Sequence, residues 1–459
     1  MRRPTRITMF TLAAVTLTIA ARTSLVLARR DRDPAAARVS AVAVAGAPDR
    51  SRPAPSEAER REMDIALYTR ASEADPASAI FRAQLAGLYM QRARETGSTE
   101  DFARAERNAR ESLERRTQHN GKSFSTLAAS LLAQHRFQEA FRVARQLVAG
   151  DSSEPSYRAL LAETQYEVGD YDGARITLDQ LPNRHGLSAA PRLARWAELT
   201  GRTHEARRIL RRAAADADHR GDLPAEQRAW FHLRVGDVEL RSGQLDSADA
   251  AFRRGLAAAP DDHRLLGAMA RLELARGHPR EAAELGERAL AVVLDPATLT
   301  VVGDAYAEAG DSARAEEYYQ TMEVAISGDT GALHRAWSLS LLDRGRRVPE
   351  VLERAQRELI GRRDIYGYDV VAWALHASGR NAEARQAMSR ALVLGTRDAS
   401  LYYHAGMIEH SLGANVVARR YLSLSLEIDP WSHPAQARRA RAVLDVLAHG
   451  PRMLATGGR

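Results

Sequence analysis

The sequence predicts an all-α solenoid of about ten stacked helix-turn-helix units with a C-terminal capping helix. Three observations support this fold class. The chain has 459 residues, of which 45% are hydrophobic and 27% charged, which is a globular composition. An alanine recurs roughly every 34 residues, and a glycine precedes most of these alanines by a few residues. A repeat of this length indicates supersecondary units that complete their cores by stacking on neighbours.

The recurring residues define the register of the units. The alanines are Ala105, Ala140, Ala174, Ala206, Ala248, Ala282, Ala315, Ala384 and Ala418. The long interval before Ala384 contains one unit whose alanine is replaced near Val348 or Val351. The glycines are Gly169, Gly201, Gly243, Gly277, Gly310, Gly345, Gly379 and Gly413. A glycine at this point ends one helix in a left-handed conformation, so the second helix of each unit begins after a short turn.

Three segments carry the glycine and the alanine of the pattern at the same spacing, with an aromatic residue or leucine four positions after the alanine. The first contains Gly236, Ala248, Phe252, Leu256 and Pro260; the second Gly303, Tyr306, Ala315 and Tyr319; the third Gly406, Ala418, Leu422 and Pro430. In this pattern the chain resembles the tetratricopeptide repeat family over about residues 79–430, or ten units. The resemblance implies a right-handed α-solenoid whose concave groove binds a protein or peptide.

The chain is expected to divide into four parts. Residues 1–28 are predicted to be a signal peptide or an N-terminal membrane anchor, because Arg2, Arg3 and Arg6 precede an uncharged, largely apolar run over residues 7–21. Residues 29–56 are rich in Ala, Pro and Arg and are predicted to be a flexible linker. Residues 57–450 hold the repeat array and its capping helix, formed by residues 434–448. Residues 451–459 are expected to be a disordered tail.

The charge distribution argues against nucleic acid as a partner. The net charge of +7 is concentrated in residues 1–62, whose 12 arginines and 6 acidic residues leave the rest of the chain with +1. Non-specific binding to nucleic acid needs clustered cations, and the array is nearly neutral. We therefore expect a protein or peptide partner, no nucleic acid, and membrane contact only through the N-terminal segment.

Motifs for catalysis or cofactor binding fail on specific residues. The only phosphate-loop fragment surrounds Lys122, but Arg116 stands where its first glycine is needed. Arg208 stands where a zinc-protease helix needs its second histidine, and the chain has no cysteine. Residues 170–173 resemble a calcium loop but lack the remaining acidic ligands. We expect no enzymatic activity, no cofactor and no bound metal.

The candidate binding site is a stripe on the first helix of each unit, one and four positions after the small crossing residue and three before it. This stripe is expected to face the groove. In the earlier units it carries Ala129, Glu163, Arg195, Asp237, Arg271 and Asp304. In the last three units it carries the predicted groove residues Trp337, Tyr366, Asp369, Trp373, His376, Tyr403, Met407 and His410. Rigid aromatic groups with polar tips are typical of binding hot spots.

Two other interpretations of the predicted groove residues remain open. The aromatic side chains could pack between adjacent layers of the array, and His376, His404 and His410 could bind a metal. For the whole chain, we predict an exported or membrane-anchored scaffold that binds a protein or peptide in its groove and supports complex assembly. The alternative function is a cytoplasmic regulator that controls a transcription factor or an enzyme.

Overall fold

The computed structural model describes residues 54–181, 186–327, 335–431 and 433–449. The predicted signal or anchor segment, most of the predicted linker and the predicted tail lie outside these ranges. Chain contacts divide the protein into residues 1–60 and 61–459. Of the first unit, the structure describes residues 54–60, which include the start of the first helix. All ten helical pairs described below belong to the second unit.

Within the described ranges the backbone forms 22 helices and no strand. A single helix, α1 (Glu57–Ala74), precedes ten helical pairs. The pairs are α2 (Ala79–Thr96) and α3 (Thr99–Arg115), α4 (Gly121–Ala133) and α5 (Phe137–Gly150), α6 (Pro155–Val168) and α7 (Tyr171–Asp179), α8 (Ala190–Leu199) and α9 (Thr203–Asp218), α10 (Ala225–Leu240) and α11 (Leu245–Ala258), α12 (His263–Ala275) and α13 (Pro279–Leu290), α14 (Pro296–Glu308) and α15 (Ser312–Ser327), α16 (Arg335–Asp343) and α17 (Val348–Glu358), α18 (Ile365–Ala377) and α19 (Asn381–Ala391), and α20 (Ala399–Ser411) and α21 (Asn415–Ile428). The last helix is α22 (Pro434–His449). We number the pairs as repeats one to ten, and the predicted all-α solenoid is confirmed.

The periodic alanines lie on the second helix in nine of the ten repeats; repeat eight has none. Eight of the nine are fully buried, and Ala315 is 3% exposed. A side chain without bulk at this point lets the two helices approach closely. Because each alanine is buried in the same register, the period read from the sequence corresponds to the physical repeat.

The small residue of the first helix meets a large residue of the second. A Cβ atom on Gly236 would lie 2.1 Å from the Phe252 ring, and one on Gly303 would lie 2.3 Å from the Tyr319 ring. The equivalent position in repeat ten is Gly406, where a Cβ would lie 2.6 Å from Leu422. Since these distances are well below van der Waals contact, only glycine fits at these crossings.

The ends of the first helices are fixed by capping groups. Gly169 has φ of 86° and ends α6 in the left-handed region, which glycine adopts without steric cost. At the N-terminal end of the first helix of repeat ten, Asp398 accepts hydrogen bonds from the backbone N–H groups of Ser400 and Leu401 and caps α20. Helix α22 follows α21 and buries Ala437 and Ala440, as expected of a capping helix.

Distant repeats also touch, which the sequence did not predict. The backbone N–H of Arg363 donates to the Val168 carbonyl at 3.2 Å, and the N–H of Ile365 donates to the Tyr171 hydroxyl at 2.7 Å. In the adjacent repeats, the Thr396 hydroxyl donates to the Leu199 carbonyl. We call this contact the seam. On one side it consists of residues 168–171 and 199–201, and on the other of residues 363–365 and 395–396. It joins repeats three and four to repeats nine and ten.

Across the described ranges, every helix is too short or too polar to span a bilayer. The N-terminal segment to which the anchor prediction applies is outside those ranges.

Candidate functional site

The predicted groove residues lie on the first helices of the last three repeats, α16, α18 and α20. The structure divides them into two groups by burial. Trp337, Asp369, Trp373 and Tyr403 are buried, with no more than 5% of each exposed. Tyr366, His376, Met407 and His410 are half-buried and keep part of their surface exposed. Only the second group offers surface to a partner in this conformation.

The buried aromatic residues pack between successive first helices. The Trp373 indole N–H on α18 donates a 2.9 Å hydrogen bond to the Asp343 carboxylate at the end of α16. Its ring lies 5.7 Å from the Tyr403 ring on α20, in a tilted arrangement. Trp337 is fully buried. These contacts correspond to packing between layers, the alternative that the sequence left open.

Two histidine rings stack on the Trp373 ring. The His376 ring stacks on one side at a centroid distance of 4.7 Å, and the His404 ring stacks at 4.3 Å. The His376 Nδ1 atom lies 2.7 Å from the Asn381 side-chain oxygen. Burial lowers the pKa of His376, so its imidazole is neutral near neutral pH.

Asp369 is the charged centre of this cluster. Its carboxylate accepts hydrogen bonds from His404 Nδ1 at 2.7 Å and from the Arg335 guanidinium at 2.8 Å. Burial by itself raises the pKa of Asp369, but His404 and Arg335 outweigh it and hold the pKa below its usual value. The carboxylate therefore stays ionised inside the array, and it links α16, α18 and α20.

The histidines of the metal alternative do not share a site. Within the described part of the chain, one group of His and acidic side chains has atoms close enough together for a metal ion, namely Glu273, His278 and Glu281. The Glu273 carboxylate in that group also accepts a 3.0 Å hydrogen bond from Arg276. This guanidinium already supplies positive charge, which disfavours a cation there. His404 is instead engaged with Asp369 as described above.

Charged residues of the earlier repeats form a second feature of the first-helix stripe. They pair between consecutive repeats: Glu163 with Arg192 at 2.7 Å, Glu198 with Arg234 at 3.2 Å, Asp237 with Arg271 at 3.0 Å, Asp304 with Arg344, which directly follows α16, and Arg335 with Asp369 at 2.8 Å. We call these five pairs the charge ladder. It crosses from α6 to α12 and again from α14 to α18.

Glu198 is held by three arginines in the middle of the charge ladder. Burial alone raises the pKa of Glu198, but Arg241, Arg234 and Arg195 outweigh it, so the pKa lies below its usual value. The sequence did not identify these charged positions as candidate binding residues. The signal that could have identified the charge ladder is a pair of opposite charges about one repeat length apart on first helices.

The Tyr366 ring connects the predicted groove residues to the charge ladder. The Arg335 guanidinium lies 4.5 Å from the ring centroid, and the Arg195 guanidinium lies 5.1 Å from it. Both distances are within the range of cation–π attraction. Two small clefts, of about 20 Å³ each, adjoin Tyr366. Arg335 and Arg362 line the first, and Arg241 and Asp398 line the second. Each cleft is large enough for about one water molecule and is bordered by charged side chains beside the Tyr366 ring.

These features define a helical repeat protein with a mixed-charge, aromatic stripe on its first helices. Family models described as tetratricopeptide repeat match residues 131–195, 233–296 and 267–330. The chain contains tetratricopeptide repeats, and such repeats imply a scaffold for protein–protein interaction. The resemblance noted from the sequence is confirmed.

Several solved structures are similar to this chain. The Cut9–Hcn1 hetero-tetramer of the APC/C is 15% identical, with a TM-score of 0.47, over 83% of this chain and 64% of that one, so this chain spans less than two thirds of its length. PilW, a type IV pilus biogenesis factor, is 17% identical, with a TM-score of 0.39, over 49% of this chain and 99% of that one. The human IFIT1 dimer with m7Gppp-AAAA is 14% identical, with a TM-score of 0.47, over 69% of this chain and 72% of that one. No curated protein matches the sequence.

Proposed function

We propose that the protein is an exported or membrane-anchored scaffold that binds a protein or peptide along its first-helix stripe and supports assembly of a complex. The observation that carries the binding proposal is the half-buried Tyr366 ring, which contacts the Arg195 and Arg335 guanidinium groups. An aromatic ring with charged neighbours can bind both apolar and charged side chains of a peptide. The protein acts by binding and carries out no reaction of its own.

The residues that contact the partner are proposed to be the half-buried ones. Tyr366, His376, Met407 and His410 offer exposed surface on first helices, and exposed parts of the charge ladder, such as Arg271, extend this surface along the array. The buried residues Trp337, Asp369, Trp373 and Tyr403 hold the first helices in position and act on binding through them. The partner we infer is a peptide segment with mixed charge.

Site-directed photo-crosslinking tests the binding face. A crosslinking amino acid at Met407 probes the stripe, and the same amino acid at Val416, which is 86% exposed on α21, is the matched control on a second helix. Crosslinking is carried out in the producing cells, and the products are identified by mass spectrometry. We expect a discrete partner from position 407 and none from position 416. Equal capture at both positions would show that the stripe is not the binding face.

Export is supported by the sequence of residues 1–28, in which arginines precede an apolar run. Fusing this segment to a phosphatase that is active only outside the cytoplasm tests the proposal. We expect activity with the native segment and its loss when charged residues interrupt the run over residues 7–21. Protection of the repeat array inside intact spheroplasts would instead place the protein in the cytoplasm.

A further inference from the structure

The turns of the early repeats are covered by loops that lie six repeats later. The turn of repeat one contains Gly97, where an added Cβ would lie 2.3 Å from Val293, in the loop before repeat seven. At Gly169, in the turn of repeat three, it would lie 2.5 Å from the Arg363 carbonyl oxygen, in the loop before repeat nine. The seam is therefore one part of a longer, regular contact between successive superhelical turns.

Repeats four and five follow the same rule. A Cβ on Gly201 would lie 2.5 Å from the Gly395 carbonyl oxygen, in the loop before repeat ten. A Cβ on Gly243 would lie 3.6 Å from Pro430, in the loop before α22. Because this last loop takes the place of the loop before an eleventh repeat, α22 lies where the first helix of that repeat would be.

The turns of repeats six to ten lack such a cover within the described part of the chain. A Cβ on any of their glycines would meet no described atom within 4 Å, and these glycines are Gly277, Gly310, Gly345, Gly379 and Gly413. Loops before the early repeats are exposed, namely residues 75–77, 116–119, 151–154 and 219–222. The array thus has uncovered turns on its later repeats and exposed loops on its early repeats.

The first helix of the array has the register of a second helix. Asp75-Pro76 follows α1 directly, as Asp429-Pro430 follows α21. Tyr68 of α1 and Leu422 of α21 each lie eight residues before the proline. Helix α1 is therefore a second helix without its first.

The last helix has the register of a first helix. The Ser400 hydroxyl on α20 donates to the Gln436 side-chain oxygen on α22, 36 residues later. By the same spacing, Ala442 takes the position of Gly406, the small residue that meets Leu422 in repeat ten, and Ala442 is exposed. The described array thus ends in a first helix whose small crossing residue is uncovered.

These two single helices carry opposite net charge. Helix α1 contains five acidic residues and three arginines, and α22 contains three arginines and one aspartate, so their charges are −2 and +2 with His449 neutral. Asp64 lies twelve residues before Pro76, as the crossing residue Ala418 lies twelve before Pro430. Since an acidic residue replaces the crossing alanine, we expect charge attraction rather than close apolar packing to hold α1 against α22.

We propose that the chain associates head to tail with a second copy of itself, in which α22 of one copy pairs with α1 of the next and completes an eleventh repeat. Tyr68 of one copy then lies over Ala442 of the other, as Leu422 lies over Gly406. The two surfaces are different, so each added copy presents the same free ends again. Such a contact generates an open helical filament. It is independent of the proposed peptide binding.

The rule of six repeats extends to the second copy without a change of spacing. With α22 and α1 counted as the eleventh repeat, the loops before repeats one, two and three of the next copy lie six places after the turns of repeats six, seven and eight. These loops and turns carry opposite charges, which favours their contact. The opposed residues are Asp75 and Arg276, Arg116 and Asp311, and Asp151 and Arg346.

Cysteine crosslinking tests the contact, because the chain has no cysteine of its own. Two differently tagged full-length copies, one with Tyr68→Cys and the other with Ala442→Cys, are produced in the same cells and treated with a short, membrane-permeant thiol crosslinker. We expect a product that carries both tags, and a ladder of longer products when one chain carries both substitutions. Each single variant alone should give no product, because head-to-tail contact never joins a position to itself.

Val416→Cys, 86% exposed on α21, replaces Ala442→Cys as the matched control and should give no mixed product. Gln118→Cys with Ala309→Cys is a second pair, which joins the loop before repeat two to the turn of repeat seven and leaves α1 and α22 unchanged. Raising the salt from about 0.1 M to about 1 M shortens the Debye length from about 10 Å to about 3 Å and should weaken both products.

The proposal is overturned if neither pair gives a product with both tags. It is also overturned if Tyr68→Cys or Ala442→Cys crosslinks to itself as well as to the other, which would indicate a symmetric contact, or if Val416→Cys gives as much product as Ala442→Cys. Failure of the proposed peptide binding has a different signature, the absence of a crosslinked partner at position 407 while the mixed-tag products persist.

Discussion

The Asp237 carboxylate on α10 accepts a 3.0 Å hydrogen bond from the Arg271 guanidinium on α12, 34 residues later and one repeat along the array. Arg234 lies on its other side, 3.5 Å from the same carboxylate. One acidic group therefore interacts with two cations on two first helices. Contacts of this kind fix how one repeat is placed on the next, and they lie on the surface that we propose for binding.

The Asp237–Arg271 pair is expected to contribute little to stability because Arg271 is largely exposed. The arginine side chain is 42% exposed, and such pairs are worth about 0.5 kcal/mol. Asp237→Asn should lower the free energy of unfolding by that amount in low salt and by less in high salt. Urea denaturation followed by circular dichroism measures the change. A double-mutant cycle with Arg271→Gln isolates the pair, and a coupling above about 2 kcal/mol would contradict the assignment.

Asp369→Asn should be much more damaging. The carboxylate is fully buried and pairs with both the Arg335 guanidinium, which is 31% exposed, and the buried His404 ring, so its loss leaves both groups without their partner. Breaking a buried pair in this way costs about 3 kcal/mol. The urea midpoint reports the loss, and Asp261→Asn, at an exposed loop position, is the control for removing one negative charge. Equal midpoints for the two variants would refute the role given to Asp369.

The register of the repeats could be predicted from the sequence, because the signal is local. Gly236 and Phe252 meet at 16 residues' separation within one helical pair, so the same two positions recur in every repeat that keeps the pattern. The burial of Trp373 could not be deduced in the same way. Trp373 and His376 share one predicted stripe three residues apart, yet only Trp373 contacts Asp343 of the preceding first helix.

The seam could not be predicted because it depends on geometry accumulated over many repeats. Gly169 and Gly310 have the same residue type, turn position and φ, yet only Gly169 has a distant backbone beside it. Small rotations between neighbouring repeats decide which residues meet after 194 positions, and a single sequence does not specify those rotations.

His376 should contribute to the pH dependence of stability. Burial lowers its pKa in the folded protein, so between the ordinary value near 6.5 and the lower folded value the unfolded chain binds more protons. The contribution is thus fully present above about pH 6.5 and is lost as the pH falls through the folded pKa. His376→Gln should flatten the stability curve in this window. The control His204→Gln removes an exposed histidine, and an equal effect of both variants would show that burial of His376 is not the cause.

Gly236→Ala tests the crossing that defines the repeat. Because the added methyl group would lie 2.1 Å from the Phe252 ring, either the ring or the helix must move, which costs about 1–3 kcal/mol in a packed core. Gly150→Ala is the matched control, since a Cβ at that helical position meets no atom within 4 Å. Alanine is a better helix former than glycine by up to about 1 kcal/mol, so the control should be as stable as the wild type or more so. Thermal denaturation of the wild type and the two variants gives their order of stability directly. If Gly236→Ala were as stable as Gly150→Ala, close approach of the two helices would not be what glycine provides at this position.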